Sequence, residues 1–153
     1  MTSTRYSRPL STGEIALARS VFGDAIDYAT VRINERKWWP FHLRGWVMAP
    51  DGHLWLHPDG PLAGIDFARA GTGLQGLFIH EMTHVWQHQQ GLCLILRRHP
   101  FCRYDYRIEI GRPLRRYGIE QQAMIVEHAF VARRAGKLNV ALESLLKDAG
   151  LRA

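Results

Sequence analysis

The chain has 153 residues, of which 46% are hydrophobic and 10% aromatic, and its 20 Lys and Arg outnumber its 14 Asp and Glu to give a net charge of +6. These values exclude an intrinsically disordered chain and predict a single domain over residues 1–153, in which we expect residues 1–10 to be flexible. The longest apolar run, at 92–96, is too short to cross a bilayer, and no apolar segment follows the basic N-terminus, so we expect neither membrane insertion nor Sec export.

Cysteine and arginine usage give two further expectations. Because no export signal is present, we expect Cys93 and Cys102 to be reduced thiols in a protein made in the cytoplasm, with a disulfide between them as the alternative. Seven arginines lie between Arg97 and Arg116. Such a segment is suited to binding phosphate or another acidic surface, although a solvated basic face is the simpler interpretation.

The first half of the chain predicts one helix followed by strands. A capping-box pattern that begins at Ser11 precedes apolar residues at helical spacing, which predicts a helix over 12–22. β-branched and aromatic residues favour a strand over 26–33. Two apolar runs flank a Pro-Asp-Gly turn and predict a β-hairpin with strands at 44–49 and 53–57.

The second half predicts mainly helices. Apolar residues follow the helical period over 72–90, where a glycine ends the pattern. An irregular, arginine-rich stretch follows over 92–117, with alternation that allows one short strand at 104–110. A second strongly helical segment lies within 118–136, and a short helix over 138–149 closes the chain. This order predicts an α+β fold, with a small hairpin-containing sheet packed on two central helices.

The helix over 72–90 contains His80-Glu81-Met82-Thr83-His84, the HExxH pattern. Histidines four residues apart lie about 6 Å apart on one helix face, so both imidazoles can bind one tetrahedral Zn²⁺ per chain. Glu81 lies beside them, placed to accept a proton from the attacking water. The simpler alternative is a pair of surface histidines on an amphipathic helix.

A catalytic zinc site typically needs a third protein ligand. His88 continues the four-residue spacing, but each step drifts about 40° around the helix, so we expect it to point away from the metal. Glu120 and Glu127 lie two turns apart on the next helix and therefore share a face that can point at the metal helix. Ligation, or a hydrogen bond to a ligand, would offset the cost of burying either carboxylate, and exposed carboxylates are the alternative.

HEMTH followed 36 residues later by Glu120-Gln-Gln-Ala123 resembles the zincins of gluzincin type. The wider text over 11–130 is similar to small bacterial zincin-like proteins named Vgr-related, which are encoded near type VI secretion or Rhs loci. The resemblance covers most of the chain and implies a minimal zincin-like fold. It also implies association with a bacterial secretion system and export by a route other than Sec.

The same resemblance assigns roles to residues. It implies that Glu81 is the general base and that the zinc ligands are His80, His84 and Glu120. Met124 departs from the family pattern, because many gluzincins place there an aspartate that orients a histidine. We therefore expect Glu127 to support a ligand histidine instead.

Amide hydrolysis also needs a hydrogen-bond donor for the tetrahedral oxyanion. Candidates between the two metal helices are His99, Tyr104, Tyr106, Arg116 and Tyr117. We name Tyr106 as the catalytic candidate, with a packing role as the alternative. The hairpin over 44–57 is either the edge along which a peptide binds as an added strand or a buried core hairpin.

These features together predict a zinc-dependent metallopeptidase or amide hydrolase that acts on a peptide or protein. One alternative is a non-catalytic, zinc-stabilised adaptor for a secreted effector or spike component. A second alternative is an SprT-like protease that acts on DNA-bound proteins and contacts nucleic acid through the arginines of 97–116.

Overall fold

The structure is a computed structural model that describes residues 7–97 and 102–152. Helices and short strands together form a mixed α+β fold, as predicted. The elements are β1 Ser7–Pro9, α1 Thr12–Phe22, β2 Arg32–Asn34, β3 Val47–Met48, β4 Leu54–Leu56, α2 Thr72–Gln89, α3 Leu94–Arg97, α4 Ile119–Arg134 and α5 Val140–Asp148. Within the described ranges, none of the helices combines the length and apolar character needed to span a membrane.

The described strands form one sheet in the order β1-β2-β4-β3. β3 and β4 pair antiparallel, with Val47 opposite Leu56, which confirms the predicted hairpin although both strands are shorter than predicted. Gly52 in the connecting turn has a φ of 85°, a conformation that favours glycine. β2 pairs parallel with β4 and antiparallel with β1, so β3 is an outer strand of the sheet.

The segment before α1 is ordered by a buried carboxylate. Glu14 completes the capping box of α1, and Arg8 donates hydrogen bonds to both of its carboxylate oxygens at 2.8 and 2.9 Å. This bidentate pair holds the chain of β1 against the helix. Residues 7–9 form β1, and residues 1–6 lie outside the described residues, so the expected flexibility of 1–10 stays a prediction.

The strand predicted over 26–33 is wrong in its first half. Asp27 accepts a hydrogen bond from the backbone N–H of Ala29 and caps a 3-10 turn at Tyr28–Thr30. Only after this turn does the chain enter β2. The aspartate side chain competes for the backbone groups that a strand would have paired, as Asp does at turns generally.

The short strand that the alternation at 104–110 allows does not form, since the structure has no strand there. Side chains from the following segment hold its backbone instead. The Glu109 N–H donates to the hydroxyl of Tyr117 at 3.0 Å, and the amide of Gln121 donates to the carbonyl of Asp105 at 2.7 Å. The segment is thereby tied to the start of α4 rather than to the sheet.

The centre of the fold is the packing of α2 against α4, with α1 on α2 and α5 on α4. The helix predictions are confirmed to within a few residues. Sheet and helices share one hydrophobic core. It includes Ile33, Leu54, Leu56, Phe78, Met82, Val85, Ile125, Val126 and Phe130. The core thus fixes the two helices that carry the HExxH residues and the two candidate glutamates.

Candidate metal centre

His80 and His84 lie one turn apart on the face of α2 that meets α4. Their ring centroids are 5.1 Å apart, and both side chains are buried. The alternative of two surface histidines is therefore wrong. His88, one turn further, is exposed and packs its ring over Gly52 of the hairpin turn, so it points away from the pair as expected.

Glu120 faces the two histidines from the first turn of α4. Its Oε2 lies 3.3 Å from Nε2 of His80 and 3.1 Å from Nε2 of His84, and the side chain is buried. One ligand atom from each of the three residues lies within 4.8 Å of the other two. Tetrahedral zinc, with bonds of about 2.0–2.1 Å, holds its ligand atoms about 3.3–3.4 Å apart. The donor chemistry and the two nitrogen–oxygen distances therefore fit a zinc ion.

Glu127 contacts the opposite side of the His80 ring. Its Oε2 lies 3.0 Å from Nδ1 of His80, which leaves Nε2 directed at Glu120. Gly76 lets the two helices approach closely beside this contact, because a Cβ at that position would lie 2.9 Å from Cγ2 of Val131, while its 3.5 Å distance to Cγ of Glu127 would be an ordinary contact. Glu127 is therefore in direct contact with His80, and its role in supporting a metal ligand stays a prediction.

His84 is held by a neutral partner that the sequence analysis missed. Its Nδ1 lies 2.8 Å from Oε1 of Gln87, a fully buried residue. The amide nitrogen of Gln87 contacts the Ile119 carbonyl and Oε1 of Gln122 at 3.0 and 3.1 Å. One signal was available, because Gln87 follows His84 by three residues and so lies on the same helix face.

The carboxylates favour positive charge at His80. Burial lowers the pKa of the ring, but hydrogen bonds to Glu120 and Glu127 and the charges of Glu81 and Glu120 outweigh burial and raise that pKa to about 9. Glu81 follows His80 in α2 and is itself buried. The potential that stabilises a proton here equally favours a metal cation.

Tyr106 contacts α4 next to Glu127, through the adjacent residue His128. Its hydroxyl is 2.7 Å from Nδ1 of His128, and burial together with the charge of Glu127 raises its pKa. Its role as oxyanion donor stays a prediction. Of the other candidates, Tyr117 accepts the hydrogen bond described above and Tyr104 is exposed, while His99 lies outside the described residues.

A cavity of about 880 Å³ opens beside Glu120, between the end of α2 and the start of α4. Three arginines of the basic segment line it, namely Arg97, Arg103 and Arg115. Part of the basic segment therefore lines the same cavity as Glu120.

Fold and site together define an α+β domain with a buried group of two histidines and one glutamate that could hold a metal ion. The effector domain of Pseudomonas aeruginosa VgrG2b is similar to this chain, with a TM-score of 0.77 and 40% sequence identity over 95% of this chain and 84% of that domain. The chain belongs to the family of this effector domain.

The full-length relative is a much larger protein. The type VI secretion system spike protein VgrG2b of Pseudomonas aeruginosa is 44% identical over 135 residues, which is 82% of this chain and 13% of the spike protein. The chain thus spans about an eighth of that relative's length. No protein-family model matches the chain.

Proposed function

We propose that the protein is a zinc-dependent metallopeptidase, or a closely related amide hydrolase, with a zincin-like arrangement of gluzincin type and one zinc ion per chain. The observation that carries the proposal is the convergence of Nε2 of His80, Nε2 of His84 and Oε2 of Glu120 in a buried position. Two imidazoles and one carboxylate are a ligand set used by catalytic zinc sites in peptidases.

The proposed chemistry divides between the metal and the chain. Zinc, when bound, supplies a Lewis acid that lowers the pKa of a coordinated water towards about 7 and polarises a carbonyl group. Glu81 accepts the proton of the attacking water and passes it to the leaving amine as general base and then general acid. Glu127 and Gln87 hold the two ligand rings in orientation through their Nδ1 atoms.

We further propose that the protein acts with a type VI secretion system. The relatives named above are a spike protein and its effector domain, which supports synthesis in the cytoplasm followed by export along a route other than Sec. The expected partners are a secretion-system component and a peptide or protein substrate. The outer strand β3 offers an edge for an extended peptide.

Metal analysis and hydrolysis together test the enzymatic proposal. We expect about one zinc per chain in the purified protein and cleavage within an unrestricted peptide library read by mass spectrometry. Glu81→Gln should keep the zinc and lose about 10²–10⁴-fold in rate, because it removes only the proton acceptor. Glu109→Gln, on the exposed loop, is the matched control and should keep both properties.

The results also separate the alternatives. Zinc at the level of an unrelated protein would overturn the metal centre itself. Zinc without cleavage of any peptide or amide, in the wild type, would favour the adaptor. The arginine-lined cavity is the feature that favours an SprT-like role, and that role requires duplex DNA binding that weakens steeply with salt.

A further inference from the structure

Two buried glutamines connect the two helices of the metal centre. Gln87 of α2 contacts His84, Gln122 of α4 contacts Gln87, and both make hydrogen bonds to backbone carbonyls at the start of α4. We infer that Gln87 and Gln122 are positioning residues: they keep a proton on Nδ1 of His84 and anchor the turn that carries Glu120. This inference rests on the proposed metal centre, but it concerns residues that no ligand pattern identifies.

Backbone carbonyls determine which way both amides point. The Gln122 amide nitrogen lies 2.8 Å from the Tyr117 carbonyl, and the Gln87 amide nitrogen lies 3.0 Å from the Ile119 carbonyl. A carbonyl oxygen only accepts, so each amide must direct its NH₂ group at that carbonyl. The second hydrogen of the Gln87 amide then donates to Oε1 of Gln122 at 3.1 Å.

The direction of these hydrogen bonds also determines which group of Gln87 faces His84. With its NH₂ group committed, Gln87 can offer only its oxygen to Nδ1 of His84, 2.8 Å away. An oxygen at that distance requires a hydrogen on Nδ1. Nε2 is then the ring nitrogen left for a metal, and it is the one that faces Oε2 of Glu120 at 3.1 Å.

The same contacts position Glu120. Tyr117 and Ile119, whose carbonyls receive the two amides, lie three residues and one residue before Glu120, where the chain enters the first turn of α4. Gln87 is fully buried and Gln122 is 6% exposed, so their hydrogen bonds are made mainly with protein groups. A change in either glutamine should therefore disturb the ring proton of His84 and the placement of Glu120 together.

The direct test is the protonation of His84 in the wild-type protein, measured by ¹⁵N–¹H correlation spectra of histidine-labelled protein with and without zinc. We expect a hydrogen on Nδ1 in both forms and a zinc-dependent shift at Nε2. An unprotonated Nδ1 would overturn the inference. This measurement needs no variant and does not depend on hydrolysis, and its metal-free arm does not depend on zinc binding.

Zinc affinity in variants gives the second test, measured by competition with a chelator. Gln87→Met and Gln122→Met keep the approximate side-chain volume and remove the amides, and we expect each to weaken zinc binding by about 10- to 100-fold. Gln90→Met, at an exposed glutamine three residues after Gln87, is the matched control and should bind zinc as the wild type does. Circular dichroism identifies variants that remain folded.

The outcomes distinguish this inference from the proposed function. A wild type that binds no zinc would refute the metal centre, and the Nδ1 measurement would still decide the hydrogen-bond polarity. A wild type that binds zinc, with folded glutamine variants that bind it equally tightly, would refute the positioning role and leave the proposed function intact. If the variants do not fold, the wild-type spectrum decides the question.

Discussion

Gly76 controls how closely α2 approaches the part of α4 that carries Glu127, and replacing it tests that packing. A Cβ at Gly76 would lie 2.9 Å from Cγ2 of Val131, well inside the 3.5–4.0 Å at which carbon atoms pack comfortably. Val131 is β-branched and has one strongly preferred rotamer in a helix, so the backbone must move to relieve the contact. Such overpacking typically costs about 1–3 kcal/mol.

The same helix contains a matched control at Gly73, where an added Cβ meets no atom within 4 Å. Gly→Ala in a helix stabilises by up to about 1 kcal/mol through backbone propensity alone. Gly73→Ala should therefore be neutral or stabilising, whereas Gly76→Ala combines the same gain with the clash. The difference between the two variants isolates the packing cost, about 1–3 kcal/mol.

Urea unfolding of both variants, with and without zinc, measures this difference. We also expect Gly76→Ala to bind zinc more weakly than Gly73→Ala, because the shift separates Glu127 from Nδ1 of His80. Equal unfolding free energies for the two variants would refute the close α2–α4 contact. Unequal stabilities with equal zinc affinities would refute the claim that Glu127 depends on it.

Three further predictions concern the metal and pH. Zinc at 1,000 times its Kd should stabilise the protein by about 4 kcal/mol, which raises Tm by about 8–16 °C, and Glu120→Gln should abolish most of that shift in a chelator-controlled melt. Glu127→Gln keeps a hydrogen-bond acceptor but removes the charge beside Nδ1 of His80, so zinc affinity should fall about tenfold while the Tm without zinc changes little. Burial lowers the pKa of His57, so the contribution of His57 to stability is present above about pH 6.5 and is lost as the pH falls below that value. His57→Asn should therefore reduce the loss of unfolding free energy on the acid side. An unchanged dependence of the unfolding free energy on pH would contradict this role of His57.

The sequence predicted those elements whose defining residues are close together in the chain. The capping box of α1, the turn of the β3–β4 hairpin and the apolar period of α2 each lie within about 20 residues. β1 was missed because its order comes from the ion pair of Arg8 with the buried Glu14. The strand expected at 104–110 failed because its backbone groups pair with side chains from the start of α4, which no local pattern records.

In the candidate site, too, residues with a local sequence pattern were predicted, and residues that act through contacts distant in sequence were not. The spacing of His80 and His84 within one helix predicted their shared face, and the two-turn separation of Glu120 and Glu127 predicted theirs. For Gln87 the only signal was its three-residue spacing after His84, and Gln122 had none, because its amide acts through partners on the opposite helix and in the segment before α4. Their contribution becomes visible once α2 and α4 are packed together.

The two histidines proposed as ligands contact groups of different charge, a carboxylate at His80 and an amide at His84, and the difference in burial accounts for this. Glu127 is 24% exposed, so water and the surrounding solvent lower the cost of its charge beside His80. Gln87 is 0% exposed, in a region that already contains the buried carboxylates of Glu81 and Glu120. These two carboxylates would balance the charge of the proposed Zn²⁺, and a third at residue 87 would leave an excess buried charge with a large desolvation cost. A neutral acceptor at residue 87 therefore orients His84 without disturbing the charge balance of the metal centre, while the carboxylate that supports His80 lies where solvent can screen it.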